Sequence, residues 1–138
     1  PVVLIDYLQI LSPTNDRASD KQNTDKAVME LKRISRDFKI PVIAVSSFNR
    51  ENYSSPVNLT SFKESGAIEY SSDVLIGLQL KGTGNSNFDV TKAKAKDPRE
   101  VELVILKNRN GVTGKKIAYH YYPMFNYFEE KGIVQDSI

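Results

Sequence analysis

Apolar and polar positions change rhythm several times along the chain, and each rhythm predicts an element. Val2-Val3-Leu4-Ile5 is a short apolar run of the kind that forms a buried parallel strand. Ser12 to Asn23 is polar, rich in Asp, Ser and Asn, and reads as a mobile loop. Within it, Ser19-Asp20-Lys21-Gln22 has the spacing of a capping box. Ala27, Leu31, Ile34 and Phe38 then recur at helical spacing and make one apolar face, while Lys26, Glu30, Lys32, Arg33 and Asp37 fill the other side. Pro41 bars that helix from continuing, and Pro41-Val42-Ile43-Ala44-Val45-Ser46 reads as a second buried strand. Strand, helix and strand of these lengths make a right-handed βαβ unit.

The remainder is less regular. Glu51 to Leu59 is a polar loop, and Thr60 to Tyr70 predicts a short helix or helical turn with Ser61-x-x-Glu64 as a second capping box. Val74 to Leu80 predicts a third strand. Lys81 to Arg99 is rich in Gly, Asn and Lys and reads as a flexible hairpin connection. Val101 to Lys107 and Lys115 to Tyr122 flank the turn signal Asn110-Gly111, which predicts an antiparallel hairpin at a sheet edge. The tail from Pro123 holds Phe125, Tyr127 and Phe128 and then turns polar. The fold class expected is α/β, a mostly parallel sheet with an antiparallel C-terminal hairpin.

Composition narrows the chemistry. With 138 residues the chain is one domain or part of one, and 40% hydrophobic residues suffice for a core. No apolar run is long enough to span a membrane. There is no cysteine and one histidine, His120, which excludes a disulfide framework, thiolate metal sites and a multi-histidine cluster. Lack of cysteine fits a cytoplasmic protein. Net charge is only +2, so any nucleic-acid contact must come from local loops.

Three places carry candidate chemistry. Asp6 ends the first apolar run, and ligands of open α/β sheets bind beyond the carboxyl ends of the strands. A carboxylate there can hold Mg²⁺ beside a nucleotide triphosphate; an ordinary strand end is an equally good reading of five residues. Lys107 and Arg109 stand two apart, a spacing that puts both on one face of a strand. They suit either phosphate chemistry or a basic strand edge that resists aggregation. Phe62-Lys63-Glu64-Ser65-Gly66 joins a cation to a glycine that admits close backbone approach, which suits phosphate, although a capped helix with a solvated face is the plainer reading. Tyr119 and Tyr121 share one strand face and are expected to pack there.

Four motifs stand in order: Leu4-Ile5-Asp6-Tyr7-Leu8-Gln9, then Pro41 to Arg50, then Glu64-Ser65-Gly66-Ala67-Ile68-Glu69 with Asp73-Val74, then Lys107-Asn108-Arg109-Asn110-Gly111-x-Thr113-Gly114. Together, from residue 2 to about residue 128, they resemble the C-terminal RecA-like motor domain of the DnaB family of replicative DNA helicases. The resemblance implies a cytoplasmic, bacterial or phage-encoded homo-hexamer that couples ATP hydrolysis to movement along single-stranded DNA and to duplex unwinding. It admits primase and a helicase loader as partners. Asp6 matches the Walker B aspartate that positions Mg²⁺, and Gln9 falls within the same nucleotide-side motif. Lys107 and Arg109 match residues that reach the nucleotide of the neighbouring subunit, Arg109 as a finger on the γ-phosphate. Lys63, Glu64 and Gly66 match a DNA-contacting loop.

Two departures from the family pattern matter. Ser46-Ser47-Phe48-Asn49-Arg50 stands where the family writes Ser-Gln-Leu-Asn-Arg, so Ser47 occupies the position of a γ-phosphate-sensing Gln. Serine is shorter and reaches only through water; Asn49 or a nearby group is the other candidate. Lys63 replaces an Arg, keeping the charge and losing the planar fork. None of the seven glycines is followed by Lys-Ser or Lys-Thr, so no phosphate-binding loop is present in these 138 residues. Residues 1–138 are therefore expected to be the later part of a RecA-like ATPase domain and to be inactive alone. The alternatives are another RecA-like ATPase, of recombination or clock type, or a non-catalytic DNA-binding or interaction module. In RecA-like order the phosphate-loop strand lies between the strands at Val42–Ser46 and Val74–Leu80. Those two are thus expected to pair directly or to associate through their open edges.

Overall fold

A computed structural model of the chain describes residues 1–11, 17–48, 53–62 and 66–135. The chain divides into two compact units, Pro1–Asn49 with Thr60–Ser72, and Arg50–Leu59 with Asp73–Ile138.

The first unit is built on the predicted βαβ connection. Strands β1 (Val3–Ile5) and β2 (Val42–Ala44) pair in parallel, with Val3 opposite Val42 and Ile5 opposite Ala44. Backbone bonds carry the pairing past the strand ends: Val45 N–H donates to Ile5 O at 2.9 Å and Leu8 N–H to Val45 O at 2.7 Å. Helix α1 (Asp20–Phe38) joins the strands. Its capping box forms as predicted: Ser19 Oγ accepts from the Gln22 N–H at 3.2 Å, and the Ser19 N–H donates to Gln22 Oε1 at 3.0 Å. Such a cap stabilises a helix by about 1 kcal/mol. Lys39 ends the helix in the left-handed region at φ 53°, its N–H bonded to Ser35 O.

The apolar face of α1 is covered less than its pattern predicts. Ala27, Leu31 and Ile34 are half-buried, and Phe38 is 70% exposed. The reason is length. A 19-residue helix is about 28 Å long, whereas strands of three residues span roughly 10 Å. Helix α2 (Gly66–Ser71) packs on α1 and buries Ile68. It covers the later part of the helix expected over Thr60–Tyr70, and a 3₁₀ turn spans Leu59–Ser61 ahead of it. The second capping box depends on Glu64, which lies outside the described residues.

The second unit is an antiparallel meander of β3 (Val74–Leu80), β4 (Arg99–Asn108), β5 (Lys116–Tyr122) and β6 (Tyr127–Ile133), in that spatial order. The predicted hairpin is β4–β5, but it lies inside the sheet. The described edges are β3 and β6. Strand β6 escaped the sequence reading because Glu129-Glu130-Lys131 makes its pattern polar. Its pairing is carried instead by Tyr127 and Phe128 opposite Tyr122 and Tyr121. Tyr119 and Tyr121 do share one face, and both rings pack on Phe128.

The 81–99 connection is not simply flexible. It holds helix α3 (Val90–Ala95), whose N-terminus is capped by Asp89 Oδ1 accepting from the Lys92 N–H at 3.1 Å. Lys and Ala favour a helix once a cap is present. Behind β3, Leu75 and Gly77 are buried, the latter under Val57. A polar chain fixes Val57 there. Its N–H donates to Gln79 Oε1 at 2.9 Å, and Gln79 Nε2 donates to the buried Glu102 at 3.0 Å. On the opposite face of β3, Val74, Ile76 and Leu78 are about half exposed. Strands β2 and β3 belong to separate sheets, so the expected direct pairing between them does not form. β2 pairs with β1 in parallel and β3 with β4 antiparallel. No helix among the described residues is long and apolar enough to cross a membrane.

Candidate functional site

Parallel pairing brings the carboxyl ends of β1 and β2 side by side, and one group of candidate residues is there. Asp6 is the first residue after β1 and is exposed. A 3₁₀ turn at Leu8–Ile10 follows, anchored by Leu8, which is 4% exposed. The turn places Gln9 against the end of β2. Gln9 Nε2 donates to Ser46 Oγ at 3.0 Å, and its Oε1 accepts from the Ser47 N–H at 3.4 Å. Gln9, Ser46 and Ser47, which the sequence separates by more than thirty positions, thus form one cluster beside Asp6. Ser47 itself is exposed. Asn49, the other candidate for the sensing role, lies outside the described residues.

The same segment leads toward the expected DNA loop. Phe48 and Phe62 form an antiparallel bridge, and their rings meet edge-on with centroids 4.9 Å apart. Phe62 is buried and directly precedes Lys63. Lys63 and Glu64 lie outside the described residues. Gly66 opens α2. This bridge was not read from the sequence, where Phe48 and Phe62 belong to separate motifs.

A second group of candidate residues lies in the other unit. Lys107 lies in β4 opposite Leu75 and is half-buried; Arg109 is one residue beyond the strand and exposed. The strand-face argument for this pair therefore applies to Lys107 alone. Arg109 is fixed by other means. Its N–H donates to Asp73 O at 2.9 Å, and its guanidinium Nε lies 3.2 Å from Asp73 Oδ1. The turn behind it is tight. Gly111 N–H donates to Asn108 O at 3.3 Å, and a Cβ on Gly111 would collide with the Asn108 side chain. Gly114 follows at φ 80°.

Basic residues of the 81–99 connection are occupied locally. Lys81 and Lys96 both pair with Glu100, at 2.9 and 2.7 Å. Hydrogen bonds from Lys96 and then Lys81 lower the Glu100 carboxyl to about 2. Lys94 lies over the Tyr53 ring, 5.2 Å from its centre. These contacts tie the stretch down as a structured connection where a flexible one was expected.

Asp6 fits a Mg²⁺ ion in one specific sense. Magnesium beside a nucleotide takes one or two carboxylates, with waters and phosphate oxygens completing its shell. One exposed carboxylate at the mouth of a parallel pair meets that need. No group of three His, Cys, Asp or Glu residues suited to a metal occurs among the described residues.

An acidic residue at the carboxyl end of a parallel βαβ unit, followed along the chain by an antiparallel sheet, fits the RecA-like core expected. Solved structures agree. One of them, an ATPase domain, matches with a TM-score of 0.74 at 25% identity, over 92% of this chain and 43% of that one. A DnaB-like replicative helicase, solved in a study of its interactions with primase, matches with a TM-score of 0.74 at 26% identity, over 92% of this chain and 29% of that one. The profile of the DnaB-like helicase C terminal domain matches residues 1–130, and the chain belongs to that family. Among its relatives, a probable replicative DNA helicase of Trieres chinensis is 33% identical over 91% of this chain, and the replicative DNA helicase DnaC of Bacillus subtilis is 31% identical over 82%. The chain spans 28% and 24% of their lengths, about a quarter of each.

Proposed function

We propose that the chain is the later part of the ATPase domain of a replicative DNA helicase, one that couples ATP hydrolysis to movement on single-stranded DNA and duplex unwinding. The observation that carries this reading is the placement of Asp6 at the joined carboxyl ends of β1 and β2, beside the Gln9–Ser46–Ser47 cluster, within a family match over residues 1–130. In this reading Asp6 positions Mg²⁺, which when bound with ATP neutralises charge on the phosphates. Gln9 holds the Ser46–Ser47 segment at the γ-phosphate side, where Ser47 reaches the phosphate through water. Lys107 and Arg109 serve the nucleotide of a neighbouring subunit in a homo-hexamer, Arg109 stabilising charge on the transferring phosphoryl oxygens. The Phe48–Phe62 bridge supports passage of that signal to Lys63, Glu64 and Gly66 at the DNA. The protein works in the cytoplasm of a bacterial cell, its own or a phage's host, where primase and a loader are the partners expected.

The test is DNA-stimulated ATPase activity of the full-length protein that carries this domain. Asp6→Ala is expected to remove turnover, a loss of several kcal/mol of transition-state stabilisation. Lys63→Ala is expected to weaken single-stranded DNA binding regardless of sequence and to shallow its salt dependence by about 0.7 per lost phosphate contact. Normal DNA-stimulated hydrolysis by Asp6→Ala protein would sink the assignment.

A further inference from the structure

Arg109 reaches its place through Asp73, and the strand register dictates the meeting. Val74 opens β3 and pairs with Asn108, the last residue of β4. The residue before Val74 is therefore brought level with the residue after Asn108. Asp73 and Arg109 stand at those two positions and make two contacts, one through the backbone at 2.9 Å and one through the side chains at 3.2 Å. The backbone bond extends the ladder by one step and fixes where Arg109 leaves the sheet. The side-chain contact then sets the direction of the long guanidinium stem.

We propose that Asp73 is the positioning residue of Arg109, holding the guanidinium extended from the sheet so that it meets a neighbouring subunit's phosphate already oriented. The inference rests on the reading of Arg109 as a finger. Its geometry suits a guide rather than a trap. The shortest approach is to Nε, on the stem side of the guanidinium, at 3.2 Å, while phosphate oxygens are met by the planar fork as a whole. Both side chains are about half exposed, 54% and 53%. A pair in that much water is weak and yields easily to a stronger acceptor. A phosphoryl group at a closed subunit interface carries more charge and less water. It takes the guanidinium without a large cost, and the orientation is already set.

Asp73→Asn and Asp73→Glu in the full-length hexamer test this, with Arg109→Ala and Arg109→Lys alongside. Asp73→Asn keeps the size and the backbone bond and removes the charge. It is expected to lower kcat about tenfold, the effect of a loosened reacting group, with KM for ATP within about twofold. Asp73→Glu restores most of the loss. In the Arg109→Lys background, whose shorter head cannot make the same contact, Asp73→Asn is expected to cost nothing further. If Arg109→Ala abolishes turnover while Asp73→Asn turns over like the wild type, the positioning role is wrong and the finger stands. Faster turnover by Asp73→Asn also overturns it, since the pair would then be a latch. An equal loss in the wild-type and Arg109→Lys backgrounds, with a lowered melting temperature, would make Asp73 a structural residue only. Wild-type turnover by Arg109→Ala would remove the finger reading and this inference with it.

Discussion

Gly77 shows how much a single position constrains the second unit. A Cβ there would lie 2.5 and 2.9 Å from the two Val57 methyl carbons, and Val57 is held in place by the Gln79–Glu102 chain. Gly77→Ala is therefore expected to destabilise the protein by about 1–3 kcal/mol, the usual cost of overpacking a filled core. A chemical-denaturation midpoint that does not move would show that Val57 yields freely. At this scale the sequence spoke unevenly. That Asp6 stands at a strand end was legible because an apolar run ends on it, and that Lys107 and Arg109 lead into a turn because Asn110-Gly111 follows them. Asp73 was not legible as a partner of Arg109, since only the antiparallel register brings the two together. Gln9 belonged to a recognised motif, but its contact with Ser46, 37 positions away, depends on the parallel pairing of β1 with β2.

Elements were legible where periodicity and caps agreed. Helix α1 has both, and the structure forms the predicted box at Ser19. Helix α3 and strand β6 were missed because charged residues masked them, Lys92 and Lys94 in one and Glu129, Glu130 and Lys131 in the other. The end of α3 is fastened to the sheet by Glu100, which bonds Lys96 and Lys81. Those bonds lower its pKa from 4.5 to about 2. A depressed carboxylate contributes stability that is fully present above its unfolded pKa and lost as the folded group is protonated. Glu100 thus supports the fold above about 4.5, and that support fades as pH falls toward about 2. The melting temperature of Glu100→Gln is expected to lie below that of the wild type at about pH 6 and to converge with it on acidification. A constant difference across that range would contradict the assignment.

For the whole molecule, the fold class was legible from strand order and turn signals, while the extent of the antiparallel sheet emerged only from pairing. The open edges have a physical consequence. Among the described residues, Ile43 on β2 and Val74, Ile76 and Leu78 on β3 are all about half exposed on strands at a sheet edge. Such edges invite strand pairing with another chain. The 138-residue chain is expected to associate with itself as concentration rises, and sedimentation showing a monomer at all concentrations would refute this. In the proposed reading one ATP site is shared between subunits, with Asp6 on one side and Arg109 on the other. Mixed hexamers decide whether it is. Full-length Asp6→Ala and Arg109→Ala subunits, each inactive alone, are combined under conditions where subunit exchange is shown independently. Some interfaces then carry both an intact Asp6 and an intact Arg109, and ATPase activity should partly return. No recovery despite exchange would mean that both residues serve one subunit's own site, and the shared-site account would fail.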